Sequence, residues 1–243
     1  MCLGPSDRVK PAWCLLAGLI LICLASWGGC GRTDQDKTIA QYLRDFHSAD
    51  PLVLFGAVDG ICKYGHKAVP ALRDELQRAA SGQPPKVVVV MACCRALVNI
   101  GAEECVPEIK QLLRDKELDG LVRWHLGWAL SNLTNVADKE SIRIYLDLYA
   151  EPAELSKRTA IWGLGMLRAR IGIPLFMAAL HDEHSSYHMR LYALNALRRF
   201  FDASFPMNRF IAEEDLKRGD RRIKAWLDWW ERRKGAYRAG ACI

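Results

Sequence analysis

Between Lys86 and Asp115 the apolar and small residues fall at Val89, Cys93, Cys94, Ala96, Leu97 and Ile100, the spacing that lines one face of an α-helix. Gly101 predicts the end of that helix. A second helix follows, with Val106, Ile109, Leu112 and Leu113 on its apolar face and Pro107 in its first turn, where a missing N–H costs nothing. The unit reads as a helical hairpin. Two helices cannot cover both of their faces alone, so the unit needs neighbours of its own kind.

The chain supplies them. The pair that closes each first-helix stripe recurs as Gly60-Ile61, Ala96-Leu97, Ala129-Leu130, Gly163-Leu164 and Ala196-Leu197, at offsets of 36, 33, 34 and 33 residues. One turn earlier stands a second recurring pair: Ala57-Val58, Cys93-Cys94, Leu126-Gly127, Ala160-Ile161 and Ala193-Leu194. The second helices open on Ala68-Val69-Pro70, Cys105-Val106-Pro107 and Gly172-Ile173-Pro174, and in the third copy on Asp138, a good N-cap. Asp50-Pro51 marks the first start, cap then proline. The ends differ from the middle, as capping elements do. Ile39, Tyr42, Leu43 and Phe46 give Thr38–Phe46 a one-sided helix able to close the N-terminal face. After a polar loop at Asp202–Asp220, Ile223, Trp226, Leu227 and Trp230 form the stripe of a closing helix, Arg221–Lys234. The fold class is therefore all-α, an α-solenoid of about five hairpins with N- and C-terminal capping helices.

These residues resemble short HEAT-like repeats of the phycobilin-lyase-like kind. Val122-Arg123 and Met189-Arg190 match the opening of that consensus, and Ala68-Val69-Pro70 and Val106-Pro107 match its second helix. The resemblance covers residues 49–201, and the Trp-x-x-Trp-Trp of the last helix is similar to the C-terminal helix of many bacterial HEAT-repeat proteins. It implies a right-handed stack of antiparallel helix pairs used chiefly as a binding surface, whose second helices line a concave groove. On that face Arg73, Lys110 and Arg114 are expected partner contacts.

Residues 1–30 are a separate text. Arg8 and Lys10 precede an uninterrupted apolar run, Cys14–Ser26, closed by Gly28, Gly29 and Cys30, the pattern of a secretory signal. The ending resembles a bacterial lipobox, with Trp27 where that family has an aliphatic residue, and implies that Cys30 is lipidated. The alternative is an uncleaved transmembrane anchor, for which the apolar stretch from Ala12 to Trp27 is slightly short of the roughly 20 residues that span hydrocarbon. Residues 31–48 then hold a linker and the first capping helix, and 202–243 the loop, the closing helix and a basic tail. The expected address is exported and membrane-anchored, on the periplasmic side or at the surface of a bacterial envelope.

Charge sharpens this picture. The net charge of +6 resides in Lys217–Arg238, where nine Lys/Arg face three acidic residues. The remainder is electroneutral, which excludes a nucleic-acid footprint along the whole domain. Of the nine cysteines, Cys2, Cys14 and Cys23 would leave with the signal, and Cys93, Cys94 and Cys105 occupy small buried helix positions. They read as free thiols, with no CxxC pair and no zinc spacing.

Catalytic chemistry finds no carrier. His181, His184 and His188 crowd an inter-repeat turn rather than a metal-binding helix face, no Gly-x-Ser-x-Gly occurs, and Gly163 and Gly165 lie in mid-helix rather than in a phosphate cradle. No catalytic residue, metal or cofactor is expected. Counting outward from the buried stripe instead brings Trp124, Trp128, Trp162 and Met166 to the far face of the first helices, with Met91 alongside. Exposed tryptophan is a mark of binding hot spots, so two readings stand: the indoles form a protein-docking patch, or each folds over the neighbouring repeat and fills a groove there. The expected function is a non-catalytic protein-binding scaffold or adaptor. Its rivals are an enzyme of the lyase-like or glycosylase-like repeat type and a purely structural envelope protein.

Overall fold

The computed structural model describes residues 37–136, 138–200 and 221–238. The signal segment with Cys30, the polar loop 202–220 and the tail 239–243 lie outside the described residues. Within them the chain is all-α: α1 (Ile39–Asp45), α2 (Pro51–Cys62), α3 (Val69–Ala80), α4 (Val87–Ile100), α5 (Val106–Arg114), α6 (Gly120–Leu133), α7 (Lys139–Ala150), α8 (Glu154–Met166), α9 (Ile173–His181), α10 (Tyr187–Phe200) and α11 (Arg221–Arg238). No strand occurs among the described residues. No helix among them is long and apolar enough to cross a membrane.

The helix starts follow from side-chain chemistry. Thr38 and Gln41 form a reciprocal capping box on α1. The carboxylates of Asp50, Asp119 and Asp138 accept the first free backbone N–H groups of α2, α6 and α7 at 2.9, 2.8 and 3.2 Å. Where the second helix opens on a Val-Pro or Ile-Pro pair, a short 3₁₀ turn precedes it, at Gly65–Ala68, Glu103–Cys105 and Arg170–Gly172. The third copy, which opens on Asp138, has none among its described residues. Gly101 stops α4 in the left-handed conformation, φ 76°. In the fourth copy the same place is held by Arg168 at φ 47°.

The helices pack in two rows. The even-numbered ones form a continuous series, α2 on α4, α4 on α6, α6 on α8 and α8 on α10. The odd-numbered ones form the other row, with α1 against α3, α5 against α7 and α9 against α11. Each odd helix from α3 to α9 packs more closely on the even helix that follows than on its own hairpin partner. The tight contacts therefore lie between repeats, and small residues permit them. A Cβ added to Gly165 would stand 2.6 Å from Cβ of Ala196, and one on Gly127 would stand 2.4 Å from Cγ2 of Thr159. Helices approaching this closely gain dispersion contacts that a hairpin in isolation lacks.

The two expected caps sit at the ends of the odd row, α1 with Tyr42 and Phe46 buried and α11 with Ile223 and Trp226 buried. The stripe of α11 differs from the expected one. Trp229 is buried, whereas Leu227 and Trp230 are half-buried against the core, so the deep positions run at 223, 226 and 229. Cys93, Cys94 and Cys105 are buried free thiols and Cys62 is half-buried and free. Burial pushes the Cys105 thiol up to about 11, which makes it a packing residue rather than a nucleophile.

Candidate functional site

The outer face of the even row gathers aromatic side chains from three successive helices. Trp124 comes from α6, Trp162 from α8 and Tyr192 from α10. Trp124 stacks on Tyr192 with centroids 5.4 Å apart, Trp162 meets Tyr192 edge-on at 5.5 Å, and the two indoles lie 6.3 Å apart. Such rings gain energy beyond their buried area from quadrupole complementarity. Arg158, one turn into α8, places its guanidinium carbon 5.8 Å from the Trp124 ring centre and 5.7 Å from that of Tyr192. Beside them opens a cleft of about 350 Å³ lined by Leu121, Trp124, Glu154, Leu155, Arg158 and Tyr192.

The repeat explains why the cleft forms here. Leu52, Val88, Leu121, Leu155 and His188 occupy the same register at the start of α2, α4, α6, α8 and α10, at offsets of 36, 33, 34 and 33 residues. Leu52 is 78% exposed, Val88 51% and Leu121 50%. The register is aliphatic in four copies, exposed in three of them and half-buried at Leu155, and so gives the even row a repeated apolar edge. Phe55 adds to this edge at 44% exposure, with Arg95 over its ring at 5.7 Å.

The residues expected from the sequence divide four ways. Trp124 and Trp162 join the cluster just described. Trp128 packs half-buried against the core, and its carbonyl accepts hydrogen bonds from Ser131 and Asn132. Arg73, Lys110 and Arg114 meet carboxylates of the next odd-row helix or its cap. Arg73 bonds Glu108 at 3.1 Å, Lys110 reaches Asp138 at 2.6 Å and Glu140 at 2.9 Å, and Arg114 also pairs with Glu140. Burial pulls the Lys110 ammonium down, but its two carboxylate partners outweigh that and hold it above its usual range. These cations are already engaged in tying repeat to repeat. Cys30 lies outside the described residues.

Sequence reasoning missed Arg158, Tyr192, Leu121, Leu155 and Glu154. The signal that finds Leu121 and Leu155 is the aliphatic position repeated at the start of the first four of the first helices, which the search for buried pairs passes over; Glu154, Arg158 and Tyr192 carry no such repeat. Of the histidines considered for chemistry, two have neighbours in the structure. The backbone N–H of His184 donates to Asp182 at 2.9 Å, and His188 rests on Tyr187 and Tyr192. Among the described residues no group of three or more His, Cys, Asp or Glu side chains is placed to hold a metal ion. Compared with known proteins, the chain matches no family model and no curated protein.

Proposed function

We propose that this chain is a non-catalytic, protein-binding scaffold, a short HEAT-like α-solenoid held at a bacterial cell envelope through lipidated Cys30. The observation that carries the reading is the outward apolar register of the even row, Leu52, Val88 and Leu121, ending in the Trp124–Trp162–Tyr192 cluster. Exposed apolar surface of this kind, grouped and rimmed by charge, marks an interaction site, and aromatic residues with an adjacent arginine are the usual anchors of a hot spot. The odd row, by contrast, spends its charges on its own neighbours, which favours the even row as the face offered to a partner.

Crosslinking and co-purification from membrane extracts tests the reading. The full chain is expected to bring down a defined partner, and the double variant Trp124→Ser, Trp162→Ser to lose it while its melting midpoint stays within a few degrees. A large fall in melting with the loss would make the pair core residues and remove the support. In the same fractions Cys30→Ser is expected to leave the membrane pellet or to remain unprocessed. A native chain of unlipidated, uncleaved mass would defeat the anchoring half of the proposal.

A further inference from the structure

The cleft between α6, α8 and α10 has a specific complement. Four of its six lining residues, Leu121, Trp124, Leu155 and Tyr192, present carbon and the other two, Glu154 and Arg158, carry charge, so its walls suit an apolar side chain beside a polar one. Its charges are Arg158 and Glu154, and they are unequally engaged. The Glu154 carboxylate accepts the Ser186 hydroxyl at 2.5 Å, a bond that ties the start of α8 to the start of α10. Arg158 forms no ion pair with any carboxylate among the described residues, although Glu154 stands one turn before it, and its Nε has no hydrogen-bond partner. The two rings beneath it hold the guanidinium by cation–π attraction. An arginine fixed in this way loses little rotamer freedom when it binds, because its planar fork is already oriented.

Resting on the scaffold reading, we infer that this cleft recognises a peptide segment of its partner that presents a carboxylate beside an apolar side chain. The apolar group enters between Leu121, Leu155 and Trp124, and the carboxylate accepts from the Arg158 guanidinium, in two parallel N–H···O bonds where the approach is planar. A volume of about 350 Å³ lies at the lower end of the ~300–1,000 Å³ usual for small-ligand sites, which suits one side chain with its backbone. The monoanionic carboxylate is favoured over phosphate because a single free cation faces it and the Glu154 carboxylate sits on the same wall, where a dianion meets repulsion. Leu121 shares its register with Val88 and Leu52 on the preceding even helices, so a longer segment leaving the cleft finds further apolar positions.

The full chain in detergent micelles is titrated with three fluorescein-labelled, end-capped octapeptides sharing a Leu-Phe core, flanked by Asp, by Asn or by Lys, and read by anisotropy. The Asp probe is expected to bind about tenfold more tightly than the Asn probe, the scale of one charge-assisted pair, and the Lys probe most weakly. Arg158→Gln is expected to bring the Asp probe to the level of the Asn probe without changing the latter, and Arg158→Lys to restore part of the difference. Circular dichroism and melting of each variant confirm that it is folded. Equal binding of the Asp and Asn probes, no binding of any probe, or a folded Arg158→Gln chain that discriminates like wild type would overturn the inference. So would Arg158-dependent sedimentation with phosphatidylglycerol vesicles in the absence of peptide discrimination, which would assign the arginine to lipid. In each of these cases a partner lost only with Trp124→Ser, Trp162→Ser would leave the scaffold reading standing.

Discussion

The Tyr145 hydroxyl donates a 2.6 Å hydrogen bond to the backbone carbonyl of Gly127, while the same ring lies over Gly163 so closely that an added Cβ there would be 2.1 Å from Cε1. One odd-row side chain thus joins α6 and α8. Tyr42 does the same to Gly60, whose added Cβ would be 2.2 Å from its ring. Both tyrosines precede their glycines by 18 residues. In the copies that carry Ala96, Ala129 and Ala196 instead, the matching odd-row residues are Arg78, Gln111 and Ala178. Glycine therefore stands where a tyrosine takes the volume of the missing methyl, and alanine where none does.

Gly163→Ala follows from this pairing. Tyr145 is fully buried and has no room to retreat, so the variant is expected to lose about 1–3 kcal/mol, the range for overpacked cores, against a gain of up to about 1 kcal/mol in helix propensity. In a Tyr145→Leu background the same change is expected to become neutral or stabilising. Urea unfolding of the four proteins gives the coupling, and additive single effects would dissolve the pairing.

Arg168 occupies a left-handed position that its equivalent, Gly101, occupies without strain. The two turns are built alike: the N–H of Ala102 closes on the Leu97 carbonyl at 3.0 Å, and that of Ala169 on the Leu164 carbonyl at 2.9 Å. A left-handed L-residue costs roughly 1–2 kcal/mol. Arg168→Gly is accordingly expected to stabilise the chain by about 1 kcal/mol, and Gly101→Ala to destabilise it by a similar amount. An unchanged or lower melting midpoint for Arg168→Gly would show that the arginine makes good its strain elsewhere.

The even helices were legible because their buried pairs recur with a fixed period, and the starts of α2 and of the odd helices α3 to α9 because they carry Asp50-Pro51, Asp138 and Pro70, Pro107 and Pro174. What stayed hidden depends on which helix meets which across repeats. Lys110 and Arg114 look like free cations in one dimension, and their carboxylates, Asp138 and Glu140, lie on the next odd helix and its cap. Trp128 and Trp162 share a register and both are half-buried, yet the first packs against the core and the second against Trp124 and Tyr192. Their neighbours decide this: Trp124 and Tyr192 take Trp162 into their cluster. Trp229 fell outside the expected stripe because α11 is deep at every third residue rather than alternating three and four.

The closing helix offers a graded test. Trp226 is fully buried, Trp229 stacks edge-on to it at 5.7 Å, and Trp230 is half-buried. Trp226→Ala is expected to cost about 3–5 kcal/mol, the range for a buried aromatic truncation, and Trp230→Ala distinctly less. Thermal unfolding with near-ultraviolet circular dichroism reads both. Equal losses at the two positions would mean that α11 is rotated about its axis relative to the arrangement described.

Arg123 and Glu151 give a prediction in pH. The guanidinium of Arg123, at the second residue of the Val-Arg pair in α6, meets the carboxylate that ends α7 in two bonds of 2.6 and 2.7 Å, and it also donates to the Leu113 carbonyl at 3.4 Å. The side chains are 8% and 17% exposed, so the pair is largely screened from water. Hydrogen bonding from Arg123 outweighs burial and holds the Glu151 carboxyl below the usual range. A carboxylate whose folded pKa is depressed binds fewer protons in the folded state than in the unfolded one. Its stabilisation is therefore present above the unfolded value of about 4.3 and is lost as pH falls through the folded value below it. Arg123→Met leaves Glu151 without its partner and is expected to cost about 3–5 kcal/mol at pH 7, whereas Arg123→Met with Glu151→Leu is expected to recover most of that loss. Stability measured by urea unfolding from pH 7 to pH 3 should fall less steeply below pH 4.3 in the double variant than in the native chain. Parallel curves would assign the acid sensitivity to other carboxylates and reduce the Arg123–Glu151 pair to a geometric contact.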